Sequence, residues 1–349
     1  MELQHDSIFM VASITKPVTV TAAIILVQER RLHLDDRVVD HLPAFDASHD
    51  VRVRHLLSHI SGLPDSWAGN HTLRRHQAPL AEYVREQLGV GLLFSPGTNV
   101  SYSSTAIDLL AAIIEKVVGQ PLSLFLHQRV FAPLGMHDTS LGHLDSMPPG
   151  AASVTPGWLR HKQREVCLNV APGRYNRAGR TVGDEHELPL GSLSFGNTDY
   201  WRTLGCPSGG LCSTAPDLLR FMNGFLLCGS ADAVAGFPLS AESVALMTRP
   251  HTDEAVAAAA AAGSELLDRG SWGLGWRINS EGSARLLGTK TSSRAFGAHG
   301  SSGCMVWACP ESGMACVVLT PEPDLCESEE FNVLSDLLLP RSSSRNETE

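Results

Sequence analysis

A chain of 349 residues, 43% hydrophobic and 18% charged, carries enough apolar text to bury one large core or two moderate ones and is not composed like a disordered protein. Its formal charge of −10 with scattered basic residues excludes a nucleic-acid groove and an anionic membrane surface, both of which need clustered cations. Eight cysteines without a Cys-x-x-Cys pair give neither a zinc site nor a dense disulfide framework, which leaves small molecules or peptides as the expected partners.

In chain order, the first predicted element is a helix over residues 13–30. Val18, Val20, Ala22, Ala23, Ile24, Ile25, Leu26 and Val27 are apolar nearly all round, which marks a helix buried inside a larger protein. Pro17 fixes its start near Ser13, since the missing proline N–H is tolerated only about the first turn. The run Pro17–Val27 is too short to span a bilayer and Met1–Asp6 lacks the basic start and cleavage site of a signal peptide. By default the chain as written therefore reads as soluble and cytoplasmic, with no membrane span.

An irregular connector, "LHLDDRVVDHLPAF", comes next, then short helices over 51–58 and 78–88, and a turn-rich loop, "SPGTNVSYSS". An amphipathic helix over 105–118 stops at Gly119. Residues 143–205 have no sustained period and read as a long irregular excursion. "STAPDLLRFMNGFLL" is a helix capped by Ser213 or Thr214 with Asp217 in its first turn. The alanine run at 255–262 is a surface helix or a flexible insertion. "SWGLGWRI", "ARLLGT", "GCMVWACP" and "GMACVVLTP" read as an antiparallel meander, closed by a helix over 327–339. This order implies an α/β (α+β) fold: a discontinuous sheet domain from 1–50 and 205–340, a mostly helical inserted domain over 51–204, and a disordered tail at 341–349.

Three short stretches could carry chemistry. Ser13-x-x-Lys16 is the only Ser-x-x-Lys in a chain with four lysines, and on a helix this spacing puts both side chains on one face. Free N–H groups at the helix start favour negative charge, and a lysine desolvated to a lower pKa can hold the serine ready as a nucleophile. The plain alternative is a capping serine followed by a lysine that reaches out to water. Tyr102 in "YSS" either packs or acts as a proton shuttle beside a lysine. "FGAHGSSGC" at 296–304 either brings backbone N–H groups to an oxyanion or is simply a tight turn.

Ser13-Ile14-Thr15-Lys16, Tyr102-Ser103-Ser104 and Ala298-His299-Gly300-Ser301 occur in the order and approximate spacing of three boxes, Ser-x-x-Lys, Tyr-x-Asn and Lys/His-x-Gly. In this the chain resembles the serine β-lactamase-like hydrolases, the group of class C β-lactamases, D-alanyl-D-alanine carboxypeptidases, D-aminopeptidases and related esterases. The phrases "HLLSHISGLP", "VFAPLGMHDTSLG", "GGLCSTAPDLLRF" and "WGLGW" extend the likeness over nearly the whole chain. The resemblance implies an antiparallel sheet flanked by helices with an inserted helical domain. It also implies a metal-free, cofactor-free serine hydrolase acting on an ester, small amide or peptide. Ser13 would form the acyl-enzyme, Lys16 and Tyr102 would share the base and acid roles, and the N–H groups of Ser13 and Ser301 would bind the oxyanion. Ser104, His299 and Gly300 would complete the substrate-binding side.

Three departures bear on that expectation. The asparagine of the second box is Ser104, which offers no amide, so esters are expected before amides and ordinary β-lactams. A gapless match sets Ala298 where the third box has Lys or His, and a shift of one residue turns a strand side chain to the other face, so His299 is a candidate that could face away. Lys290-Thr291-Ser292-Ser293 resembles the third box in composition, but the strand pair that should follow it comes only after Gly303. Only twelve residues precede Ser13, where such hydrolases have a helix and two sheet strands, so those N-terminal strands are expected to be missing. The competing expectation is a catalytically impaired homologue with a binding or scaffolding role. An ordinary α/β-hydrolase fails because there is no Gly-x-Ser-x-Gly elbow. His55 and His59, four apart, lack the His-Glu-x-x-His pattern, and no metal is expected.

Overall fold

The apolar run after Ser13 forms a helix with no polar face, α1 (Thr15–Gln28), in which every residue from Thr15 to Leu26 is buried. It is entered from a short strand, β1 (Ile8–Met10), through a 3-10 turn at Ala12–Ile14. The computed structural model describes residues 4–142, 166–167, 199–268, 270–279, 287–320 and 329–339.

Short helices follow: α2 (Val38–His41), α3 (Val53–Leu57), α4 (Gly69–Arg75) and α5 (Leu80–Gln87), then the long α6 (Ser104–Val118) and α7 (Leu122–Leu126). α6 ends where Gly119 adopts φ +73°, a left-handed conformation that glycine enters without strain. Next come β2 (Ser140–Leu141), β3 (Val166–Cys167), α8 (Asp199–Leu204) and β4 (Leu211–Ser213). Three helices, α9 (Ala215–Leu226), α10 (Ala241–Thr248) and α11 (Asp253–Ala261), lead to the terminal strands. These are β5 (Ser271–Trp272), β6 (Arg277–Ile278), β7 (Phe296–Gly300), β8 (Cys304–Cys309) and β9 (Met314–Val318), and α12 (Glu329–Leu338) follows.

A small sheet is ordered β2-β4-β1-β3, with β1 parallel to β3 and antiparallel to β4. The larger sheet is the antiparallel meander β5-β6-β7-β8-β9. The sequence reading placed its second strand at "ARLLGT". Residues 284–286 of that stretch lie outside the described residues, and the strand paired with β6 is β7, in the glycine-rich segment expected to be an oxyanion-binding stretch or a tight turn. Most of the excursion 143–205 and the tail 341–349 also lie outside the described residues. Among the described residues the large sheet takes all its strands from 271–318, and the N-terminal β1 belongs to the small sheet instead. No single helix among the described residues is long and apolar enough to cross a membrane.

β8 shows why its text has no polar alternation. Cys304, Val306 and Ala308 join the main core with Phe296 and Ala298 of β7, whereas Met305, Trp307 and Cys309 form a second core with Leu287, Ala295 and Cys316. A strand covered on both faces is apolar at every position. α1, α6 and α9 all contribute to the main core, and each fully buried Ile, Leu or Phe contributes roughly 1.5–3 kcal/mol. α9 is capped by Thr214, whose hydroxyl accepts from the Asp217 N–H at 3.4 Å. The buried Asp217 carboxylate in turn accepts from the Asp138 N–H and the Thr139 hydroxyl, at 2.8 and 2.9 Å.

The turn holding Ser13 is wedged between the two sheets. The Val11 N–H donates to Leu211 O at 3.0 Å, and a Cβ placed on Gly300 of β7 would come within 2.2 Å of Val11 O. Both atoms belong to backbone that cannot move aside cheaply. Gly300→Ala is therefore expected to destabilise the fold by about 2 kcal/mol, the scale of core overpacking, read as a lower urea midpoint at unchanged slope. An unchanged midpoint would show that β7 and the Ser13 turn are not in close backbone contact.

Candidate active site

Ser13 is half-buried, one residue after Ala12, which holds φ +46°. A non-glycine residue persists in that region only where its surroundings force it. Here the Thr15 hydroxyl supplies the constraint, donating to Ala12 O at 2.5 Å while accepting from the Leu211 N–H at 3.0 Å. The turn is thereby tied to β4, and Ser13 stands at the N-terminus of α1, where unsatisfied N–H groups favour negative charge.

Lys16, in the first turn of α1, is 3% exposed. Its Nζ donates to Ser13 Oγ at 3.1 Å and to Ser208 O at 2.8 Å, and lies 4.6 Å from the centroid of the Tyr102 ring. Burial by itself pulls the amine down, but the charge and hydrogen bonding of the Tyr102 oxygen, with the carboxylates of Asp65 and Asp108, outweigh it and hold Lys16 above its ordinary 10.5. This corrects the expectation of a lysine lowered by desolvation. In its protonated form Lys16 donates every hydrogen and has no lone pair with which to take the Ser13 proton.

Tyr102 is held by the start of α6. Ser103 caps that helix, accepting from the Ala106 N–H at 3.0 Å and donating to Pro64 O at 3.2 Å. Ser104, where the resembling boxes carry asparagine, lines the cavity and donates its N–H to Asp65 Oδ1 at 2.8 Å. Behind Tyr102 lies fully buried His59, its ring 4.8 Å from the phenol ring and 4.4 Å from Trp272. Burial, reinforced by the Lys16 charge, pushes the His59 imidazole down to about 3. His55 has a separate local job, accepting the Arg52 N–H on Nδ1 at the start of α3.

Ser13, Lys16, Ser104 and Ser301 line one cavity of about 200 Å³, with Asp65, Trp67, Asn70, Arg74, Asp108 and Ser208 among the other walls. Tyr102 is not among the residues that line it and instead lies against Lys16. Gly300 borders the Ser13 turn through its backbone. His299 does not join them. Its strand partner is Met305, a residue of the second core, whereas Ala298 and its partner Val306 face the main core on the Ser13 side. Strand alternation thus sends the His299 side chain to the opposite face, which removes it from the substrate-binding set. Lys290 is likewise elsewhere, exposed beside α12, where its N–H donates to Asp336.

Sequence reasoning missed three groups around Lys16: Ser208, Asp65 and Asp108. Asp108 sits one helical turn beyond Ser104, a spacing that could have flagged it. It accepts from Gln87 Nε2 at 2.9 Å, and burial raises its carboxyl above the usual range against the pull of Gln87, Ser208 and Lys16. Ser208 had no signal in the sequence, since it offers only a backbone carbonyl.

The profile of the family described as Beta-lactamase matches residues 1–331. Protein Rv1367c of Mycobacterium tuberculosis is 31% identical over 276 residues, covering 72% of this chain and 62% of that protein. Esterase EstB of Burkholderia gladioli is 34% identical over 259 residues, covering 66% of this chain and 62% of that protein. The chain thus spans 62% of the length of each of these relatives. A solved structure described as "EstCE1, a hydrolase with promiscuous acyltransferase activity" shares the fold at a TM-score of 0.66 and 21% identity, over 95% of this chain and 86% of that one. With a profile match of that extent around a Ser-Lys pair at the mouth of one cavity, the chain belongs to the Beta-lactamase family, whose members include serine hydrolases of the β-lactamase, penicillin-binding-protein and esterase types.

Proposed function

We propose that the protein is a serine hydrolase that cleaves small carboxylic esters through an acyl-enzyme on Ser13. The observation that carries this reading is the Lys16 ammonium, which donates to Ser13 Oγ at 3.1 Å while lying against Tyr102 at the wall of the cavity. A cation at that point stabilises whichever of the two oxygens bears negative charge. Ser13 Oγ attacks the ester carbonyl carbon and its proton passes to the Tyr102 oxygen, which enters the step as a phenolate paired with the Lys16 ammonium. The tetrahedral oxyanion is received by the N–H groups of Ser13 and Ser301. Collapse breaks the bond to the leaving alkoxide, which takes the proton back from Tyr102. Water then repeats the sequence on the acyl-enzyme and frees the carboxylic acid.

The preference for esters rests on leaving-group chemistry. An alkoxide departs with little assistance, whereas an amine needs a well-placed proton donor. Ser104 supplies only a short hydroxyl at the second box, and His299 faces away. That one relative is named an esterase points the same way.

Ser13→Ala is expected to lower kcat/KM for p-nitrophenyl butyrate by at least about a thousand-fold at unchanged thermal midpoint, since it removes the nucleophile itself. Retention of wild-type turnover would contradict the mechanism. Lys16→Ala is expected to lower kcat by about a hundred- to a thousand-fold, the scale of losing a donor to a developing oxyanion. Because Lys16 is held above 10.5, the wild-type rate has no acid limb between pH 6 and 9 that belongs to its deprotonation. A limb there that disappears in Lys16→Arg would count against the ammonium assignment.

A further inference from the structure

His59 belongs to "HLLSH", a stretch that the mechanism above does not use. Its side chain and backbone nevertheless bracket Tyr102. The His59 carbonyl accepts from the Ser101 N–H at 2.9 Å, and its Nδ1 accepts from the Ser103 N–H at 3.2 Å. The two residues that flank Tyr102 in the chain are thus both fastened to the same histidine. Between these bonds the imidazole packs against the phenol at 4.8 Å, tilted by 38°, with Trp272 standing edge-on to the imidazole at 4.4 Å. His59 itself adopts φ +61°, a left-handed conformation that, among residues with a side chain, asparagine, aspartate and histidine enter most readily.

We propose that His59 is a positioning residue for Tyr102, a neutral ring that fixes the backbone on both sides of the phenol and backs its face so that the side chain stays against Lys16. The proposal rests on the reading that Tyr102 carries the proton. The tautomer follows from the geometry: Nδ1 accepts a backbone N–H, so the ring proton sits on Nε2, which has no hydrogen-bond acceptor among the described residues. The charged groups around the ring are Lys16, Asp65, Asp268 and Arg277. A protonated imidazole would lose its bond from Ser103 and place a second cation beside Lys16. Histidine suits the position because it joins an acceptor to an aromatic face. Phenylalanine keeps the face and leaves the fully buried Ser103 N–H without its acceptor. Asparagine keeps an acceptor near the Nδ1 position and the backbone conformation, but has no ring.

The test measures p-nitrophenyl butyrate kinetics for wild type, His59→Asn and His59→Phe from pH 5 to 10, with rates normalised to sites titrated by a fluorophosphonate so that unfolded protein does not count. It adds the ¹³Cζ resonance of Tyr102, assigned among four tyrosines by Tyr102→Phe. His59→Asn is expected to lose about ten-fold and His59→Phe about a hundred-fold in kcat with KM within two-fold, the scale of a misplaced reacting group. In both, the pH profile of kcat and the Tyr102 resonance should differ from wild type. A merely structural role would lower the number of titrated sites and leave the pH profile per site in place. Wild-type kcat per site in folded His59→Asn, or an unmoved Tyr102 resonance, overturns the proposal. Failure of the functional reading is separable: wild-type protein would then take up no fluorophosphonate at Ser13, while the resonance still decides whether His59 orients the phenol.

Discussion

The arrangement depends on one buried cation. Lys16 sits in the first turn of a helix with no solvent-facing side, where an unpaired ammonium would be too costly to keep. It is retained because oxygen surrounds it: Ser13 Oγ and Ser208 O by direct hydrogen bonds, the Tyr102 oxygen close by, and the charges of Asp65 and Asp108 beyond. Each partner arrives on a different element. The 3-10 turn brings Ser13, the segment before β4 brings Ser208, the loop before α6 brings Tyr102, and α6 itself brings Asp108. The fold is thus a means of gathering acceptors around an amine, with the Ser13 hydroxyl hydrogen-bonded to it and the Tyr102 ring 4.6 Å away.

The rest of the scaffold keeps that cluster from loosening. Thr15 fastens the Ser13 turn to β4, while the bare Cα of Gly300 lets β7 lie against Val11. Gly275, at φ +78°, lets the loop between β5 and β6 press on Val20 and Pro17 of α1, where a Cβ would meet Val20 within 2.9 Å. Ser103, His59 and Trp272 hold the tyrosine from the opposite side. Contacts of this kind act before substrate arrives, which is where a site that stabilises developing charge gains most.

Much of this was legible in the sequence, and the limits have physical causes. The all-round apolar text of α1, the glycine that ends α6 and the threonine cap of α9 are local signals, and each element formed within two residues of its expected bounds at the ends those signals govern. Ser13, Lys16 and Tyr102 could be named because they lie in short boxes whose order survives in the chain. His299 stayed open between two faces for a reason of parity: strand faces alternate with every residue, and nothing in "GAHGSS" fixes which residue faces the cavity until β7 is paired with β8. The direction of the Lys16 shift was misjudged because burial is visible in an apolar sequence, whereas the carboxylates and the phenol that oppose it come from distant positions. Ser208 contributes a carbonyl, which every residue has.

The most direct test of this account is the protonation state of Lys16, read from its ¹⁵Nζ resonance in protein labelled at lysine, assigned among four lysines by Lys16→Arg. The account predicts an ammonium signal that persists unchanged from pH 6 to beyond pH 10, since the folded-state value lies above 10.5. A Lys16 that titrates to the neutral amine between pH 6 and 9 would contradict it, and would return the role of base to the lysine.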